Sequence, residues 1–280
     1  MTVGEVVRTS AEFLAAKGVP SPRVDAEHLV ARGLGLSRLD LYLEYDRPLT
    51  GPELAACREL VRRRGTREPL AYVLGEWGFR RLTLKVDRRV LVPRPETEVV
   101  AGRSLELIRG LETPRVLDVG TGSGAIALAI ADEHPGAQVT AVDVSADALA
   151  VARENVARTG LPVELEQRDV QDGLDGRYDL VVSNPPYVSH ADIELLDPEV
   201  RDWEPRIATV GEEHTELVAR AARDVLEPGG WLVVEIAATA GAQAARLLGG
   251  LGYEEVTVGP DLAGRDRVLE GRWPTTSRRR

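Results

Sequence analysis

RVLDVGTGSGAIALAIA, residues 115–131, decides the fold. Residues 115–119 form a short apolar run of strand type. Three glycines follow at alternate positions, Gly120, Gly122 and Gly124, and an Ala/Ile/Leu run of helical length begins at Ala125. Glycine adopts backbone conformations closed to other residues and lets a ligand approach the main chain, while a helix start offers unpaired N–H groups. The spacing is G-x-G-x-G and not the G-x-G-x-x-G of the dinucleotide fingerprint. Gly120, Thr121, Gly122, Ser123 and Gly124 are therefore candidate ligand contacts on a strand–turn–helix unit.

Outward from this unit the same alternation recurs. Strand-type runs lie at 138–143, 163–167, 180–183 and 231–236, with helical stretches at about 124–134, 146–159, 213–227 and 240–250. Alternating strand and helix implies a mainly parallel sheet covered on both faces. The end differs: 254–258 and 267–271 are strands with only a loop between them, which suits an antiparallel hairpin. The expected fold is α/β, a seven-stranded doubly wound sheet closed by that hairpin.

The first 76 residues have another character. Helical segments are expected at 3–17, ended by Gly18, then from Ser21-Pro22, then from Thr50-Gly51-Pro52-Glu53, whose spacing is that of a capping box. Cys57 shares a face with Leu54 and Val61 and reads as core. Arg62, Arg63 and Arg64 read as a solvated helix end. Residues 82–86 alternate like a strand, and Asp87-Arg88-Arg89 is a candidate hairpin turn. The expected organisation is a helical domain over 1–76, a β-hairpin linker over 77–92, a ligand-binding domain over 93–274, and a frayed tail over 275–280.

Composition narrows the function. The 280 residues carry 35 Lys and Arg against 45 Asp and Glu, and aromatic residues make up only 4%. Residues 1–85 hold 14 cations and 11 acids, a net +3, which leaves 21 and 34, a net −13, for the rest. That acidity argues against a nucleic-acid groove. One cysteine and four scattered histidines offer no metal site. No apolar run approaches the ~20 residues of a membrane span, and the N-terminus lacks signal-peptide character, so the expected setting is the cytoplasm.

Two further motifs carry chemistry. Asp143 ends a strand 19 residues beyond Gly124, where an acid can accept hydrogen bonds from both hydroxyls of a ribose. Ser145 can cap the next helix and leaves Asp143 for that role. Asn184-Pro185-Pro186-Tyr187 follows the apolar run 180–183. Two prolines cannot continue a strand, so they force a rigid exit and leave the Pro185 carbonyl without a sheet partner.

DVGTGSGAIALAIA, AVDVSADALAVARENV and VVSNPPYV together resemble class I S-adenosylmethionine-dependent methyltransferases of the amino-methylating kind. EPLAYVLG at 68–75, LVPRPETE at 91–98 and DLAGRDR at 261–267 are similar to the HemK/PrmC family. The resemblance covers nearly the whole chain. It implies a protein-(glutamine-N5) methyltransferase that takes S-adenosylmethionine, releases S-adenosylhomocysteine and modifies the glutamine of the Gly-Gly-Gln motif of peptide chain release factors. It implies cofactor contacts at Gly120–Gly124, Asp143, Asp169, Val170 and Asn184. The substrate amide falls to Asn184, Pro185, Pro186 and Tyr187, with Asn184, Pro185 and Tyr187 catalytic and recognition of the release factor assigned to 1–76. Where family members often carry an aromatic residue, this chain has Val170, forgoing roughly 0.5–1.5 kcal/mol of stacking. A ribosomal-protein glutamine or a nucleic-acid adenine amine presents the same delocalised nitrogen, so both stand as alternative substrates.

Overall fold

The computed structural model describes residues 1–275. Of the frayed-tail expectation over 275–280, all but Thr275 lies outside the described residues. The chain divides into two compact units, one made of Met1–Glu76 with Leu196–Trp203, the other of Trp77–Leu195 with the chain from Glu204 onward.

A two-stranded hairpin, β1 (Glu76–Phe79) and β2 (Leu82–Lys85), starts on the last residue of the first unit and otherwise belongs to the second. Its turn is Arg80-Arg81, with Arg80 at φ 50°, and not Asp87-Arg88-Arg89 as expected from sequence. Asp87 instead accepts the Arg89 N–H on its own carboxylate and closes a separate turn with Val90. After α6 (Pro95–Ile108) come β3 (Arg115–Val119), α7 (Ala125–Glu133), β4 (Gln138–Asp143), α8 (Ala146–Thr159), β5 (Val163–Gln167) and β6 (Tyr178–Ser183). The chain then forms α9 (Pro198–Arg201), α10 (Arg206–Thr209), α11 (His214–Val225), β7 (Leu226–Glu235), α12 (Gly241–Leu251), β8 (Glu254–Pro260) and β9 (Asp266–Arg272).

β3 to β9 make one sheet in the order β5-β4-β3-β6-β7-β9-β8. All neighbours up to β7 are parallel, and β9 is antiparallel to both β7 and β8. The fold is the expected doubly wound sheet with a terminal hairpin. Strand alternation explains why both faces are covered. Val116, Ala141, Leu180, Val182 and Val233 point to one apolar cluster, shared with α6 and α7. Leu117, Val119, Val142, Val181, Leu232 and Val234 point to the other, shared with α11 and α12. β7 starts five residues before the expected 231, and α11 stops at Val225 and not at 227, because the chain passes through Pro228-Gly229-Gly230 as an irregular strand with Gly229 at φ 85°.

The first unit packs α1 (Val3–Ala16), α2 (Pro22–Leu34), α3 (Arg38–Leu43), α4 (Gly51–Gly65) and α5 (Leu70–Leu74) around Val3, Leu14, Leu29, Val30, Leu41 and Cys57. Thr50 forms the expected capping box with Glu53, and Cys57 is fully buried. Arg64 corrects the solvated-end reading of 62–64. It is 4% exposed, and its Nε donates to Asp25 Oδ2 at 2.7 Å while Nη2 meets Glu199 Oε1 at 2.8 Å. Burial is the largest influence on Glu199 and raises its carboxyl, yet the Arg67 and Arg64 bonds hold it below the usual carboxylate range. Glu199 belongs to α9, the short excursion that the chain makes into this unit. Counted over its own residues the unit holds 12 Lys and Arg against 14 Asp and Glu, so the +3 of residues 1–85 does not describe it. Among the described residues no helix is long and apolar enough to cross a membrane.

Candidate active site

β4 and β5 extend the sheet to one side of β3, and β6 begins the other side. Open α/β sheets bind ligands at such a reversal, outside the carboxyl ends of the strands. A cavity of about 380 Å³ opens there, within the range of small-molecule sites. It lies wholly within the second unit.

The glycine loop forms one wall. Gly120, Gly122 and Gly124 all have positive φ, at 73°, 57° and 83°. Gly120, Thr121, Gly122 and Ser123 line the cavity, whereas Gly124 does not. Gly124 is the left-handed cap of α7, and a Cβ on it would meet Leu128 Cδ1 at 3.3 Å. Its glycine serves helix entry, not ligand contact.

Asp143 lies at the end of β4 with both carboxylate oxygens engaged from below: Oδ2 accepts the Gly122 N–H and Oδ1 the Ser145 N–H, both at 2.9 Å. Burial raises its carboxyl above the ordinary range, and the backbone bonds from Ser145 and Gly122 oppose that. The Val144 N–H bears on the same carboxylate; with about four acceptor positions, the carboxylate keeps some capacity for a ligand. Ser145 caps α8, as expected. Asp169 and Val170 form a further stretch of the lining, with Asp169 accepting the Gln171 N–H.

Asp118 lies within β3, two residues before Gly120, and is not among the site residues expected from sequence. Its Oδ2 accepts from Thr121 Oγ1 at 2.7 Å and from the Ala127 N–H at 3.2 Å. Its Oδ1 is buried with no partner among the described residues, and complete burial pushes the carboxyl up to about 7. Of the loop amides above it, Gly120 and Thr121 donate to the Val142 carbonyl, Gly122 to Asp143 and Gly124 to the Thr121 carbonyl, so the orphaned carboxylate oxygen, not the amides, is the unspent polar group here.

A further wall is Asn184-Pro185-Pro186, directly after β6. Ser183 Oγ donates to the Val119 carbonyl at 2.7 Å and pins the exits of the two central strands together. Asn184 donates from Nδ2 to Thr97 Oγ1 at 3.0 Å. Its Oδ1 and the Pro185 carbonyl have no protein partner among the described residues. Tyr187 does not line the cavity; its hydroxyl reaches Glu235 Oε1 at 3.3 Å, and burial pushes its phenol up to about 12.

Sequence reading missed three residues here. Thr97 lines the cavity and donates to Glu235 Oε2 at 2.6 Å. Glu235, at the end of β7, is 1% exposed. Glu204 takes the Val92 N–H at 3.2 Å and Arg94 Nη2 at 2.6 Å. Residues 94–97 thus hold the long connection after β6 at two points, Asn184 through Thr97 and Glu204 through Arg94. The signal for Glu235 was present: an acid inside Leu232-Val233-Val234-Glu235-Ile236 has to find buried partners.

Comparison with known proteins bears on this arrangement. Residues 102–197 match the family described as Methyltransferase small domain, and residues 5–75 match PrmC N-terminal domain. A protein named Release factor glutamine methyltransferase from Geobacter sulfurreducens is 42% identical over 276 residues, covering 97% of this chain and 96% of that one. One of the same name from Rhodopirellula baltica is 42% identical over 281 residues, covering 96% and 95%. Among solved structures, the hMettl16 catalytic domain in complex with MAT2A 3'UTR hairpin 6 superposes with a TM-score of 0.58 at 19% identity, covering 79% of this chain and 83% of that one. A methyltransferase from Pyrococcus furiosus gives a TM-score of 0.51 at 20% identity, covering 68% and 88%. These two structural likenesses concern the fold alone.

Proposed function

The chain belongs to the release factor glutamine methyltransferases, and from that premise we propose that it moves a methyl group from S-adenosylmethionine to the side-chain amide nitrogen of the Gly-Gly-Gln glutamine of a peptide chain release factor. The observation that carries this reading is the pair of acceptors without a protein partner among the described residues, Asn184 Oδ1 and the Pro185 carbonyl, in a segment that lines the same cavity as the glycine loop. S-adenosylmethionine, when bound, supplies an electrophilic methyl on a sulfonium. The residues that would hold it are Gly120 to Ser123, Asp143 through its remaining acceptor capacity toward the ribose, and Val170 as an apolar surface for the adenine. No step requires a metal.

A primary amide nitrogen is a weak nucleophile because its lone pair is delocalised. Two fixed acceptors, one for each N–H, turn the nitrogen out of the amide plane and aim its lone pair across the cavity. They also favour the positive charge that builds on nitrogen, so positioning and electrostatics act together. The methylated nitrogen is acidic and sheds its proton afterwards, without a dedicated side-chain base. The apolar lining from Leu91, Pro93, Ile126 and Val218 excludes water as the sulfonium charge is lost.

The first unit, Met1–Glu76 with α9, we assign to recognition of the whole release factor. A short Gly-Gly-Gln peptide should then have a much lower kcat/KM than the intact factor. Deleting residues 1–76 alone would strip Glu199 of Arg64 and Arg67, and so removes a buried ion network together with any docking surface. The setting of the reaction is the cytoplasm, where release factors act. The direct test offers labelled S-adenosylmethionine to the full chain with release factors, ribosomal protein and DNA in parallel. Label on release factors alone is expected, and label on DNA or ribosomal protein in preference to them would overturn the assignment.

A further inference from the structure

An asparagine amide has nearly the same shape either way round, yet only one orientation suits the proposed chemistry. Presented by its oxygen, Asn184 accepts a substrate N–H. Presented by its nitrogen, it sets two N–H groups against two others. We propose that Thr97, itself held by Glu235, fixes which end of Asn184 faces the cavity, and so acts as a positioning residue for the reaction. The inference rests on the reading of Asn184 as an acceptor.

The argument is one of proton counting. A threonine hydroxyl has one proton. That of Thr97 goes to Glu235 Oε2 at 2.6 Å; burial raises this carboxyl, while the bonds from Thr97 and Tyr187 and the charge of Arg267 oppose the rise and favour the ionised form, which can only accept. Toward Asn184, 3.0 Å away, Thr97 Oγ1 can then only accept. The group opposite it has to be the donor Nδ2, which turns Oδ1 to the cavity. Had the partner of Thr97 been a backbone N–H, its proton would have been free, and Asn184 would have turned the other way.

Glu235 is itself held. Tyr187 donates to its other oxygen, and Arg267 bears on it with its positive charge. Arg267 is anchored through Nη1 to the Ile236 carbonyl at 3.0 Å, beside Asp261 at 3.6 Å. Two segments that the sequence singled out without a chemical role, 91–98 and 261–267, thus meet at one carboxylate that directs the Asn184 amide.

The test is a double-mutant cycle on single-turnover methylation of a release factor, using Thr97→Val, Thr97→Ser, Asn184→Ala and Thr97→Val/Asn184→Ala, with cofactor affinity measured alongside. Thr97→Val keeps the shape and removes the acceptor. It should lower the rate constant by up to about 10²-fold, as misplacement of a reacting group does, with cofactor affinity nearly unchanged. Thr97→Ser should restore most of the rate. Thr97→Val should cost almost nothing more once Asn184 is alanine, because the two act in series. A wild-type rate for Thr97→Val, a Thr97→Ser as slow as Thr97→Val, or additive losses in the double variant would overturn the proposal while leaving the acceptor role of Asn184 standing. Full activity of Asn184→Ala would overturn both. Should Thr97→Val not fold, the wild-type chain labelled with nitrogen-15 asparagine answers the same question. One Asn184 side-chain proton should resist exchange through its bond to Thr97, and two freely exchanging protons would contradict the orientation.

Discussion

The two walls of the cavity are built by different means. On the glycine-loop side everything is local: Gly122 and Ser145 donate backbone N–H groups to Asp143, within 21 residues of chain. On the Asn184 side nothing is local. Thr97 lies 87 residues away from Asn184 and 138 from Glu235. In the proposed function the first wall holds the cofactor, with main-chain geometry that follows from glycine conformations. In the second wall the Asn184 amide is bonded to Thr97, and Thr97 to Glu235, a chain of contacts between distant segments that we propose directs the amide. Under the proposed assignment binding depends on the first wall and chemistry on the second, and substitutions should separate them.

The largest effect belongs to the relay wall. Asn184→Ala should reduce turnover by about 10²–10³-fold, comparable to removing one fixed transition-state hydrogen bond. Calorimetry should show cofactor affinity little altered. Asn184→Asp should be nearly as poor, although it keeps the shape and an acceptor oxygen. It has no donor for Thr97 Oγ1, whose proton is already spent on Glu235, and it adds a charge close to that carboxylate. An Asp variant with substantial activity would show that the two walls differ less than described.

Asp143→Ala should do the reverse. Each charge-assisted bond to a ribose hydroxyl is worth roughly 1.5–3 kcal/mol, so affinity for S-adenosylmethionine should fall about 10- to 150-fold per bond lost. At saturating cofactor the turnover number should recover most of its value. Unchanged affinity by calorimetry would remove the ribose assignment.

Gly124→Ala sharpens the comparison within a single loop. Its left-handed backbone and the nearby Leu128 predict a stability loss of about 1–2 kcal/mol in denaturant unfolding. Because Gly124 does not line the cavity, cofactor affinity of the folded variant should stay close to wild type. A larger loss of affinity than of stability would make it a ligand contact after all.

The most gradual effect concerns Asp118, whose carboxyl is pushed up to about 7 by burial, above an ordinary value of 3.8. Between those values the folded chain binds more protons than the unfolded chain. The stabilising contribution is full below about 4 and is lost as pH rises through about 7. Unfolding of the cofactor-free protein should thus show stability declining across that window, and Asp118→Asn should flatten the decline. An unaltered pH profile in the Asn variant would place the titrating group elsewhere.

The sequence made the first wall readable because its signals are short-range. Gly120, Gly122 and Asp143 declare themselves by residue type and spacing near strand ends. The second wall was readable only at its tip, in Asn184-Pro185-Pro186. Thr97 stood inside a quoted motif, but nothing local says that its hydroxyl faces Asn184, since that depends on β6 and β7 being neighbours. The excursion of α9 into the helical unit has no local signature either. Arg64 could have been found, because it lies seven residues after Cys57 and three after Val61, on the same apolar face of α4. A cation on that face has to be paired, and Asp25 and Glu199 pair it.

The central claim is that two acceptors on the Asn184 wall receive the two N–H groups of a glutamine amide. The most direct measurement compares methylation of a release factor with that of the same factor carrying Gln→Glu in its Gly-Gly-Gln motif, the modified residue being mapped by mass spectrometry. A glutamate carboxylate presents oxygen lone pairs to Asn184 Oδ1 and the Pro185 carbonyl, where an amide presents protons. The account predicts label on the side-chain nitrogen of that glutamine in the unaltered factor and no label in the Gln→Glu factor. Equal labelling of both factors, or a methyl group mapped to any other residue, would contradict it.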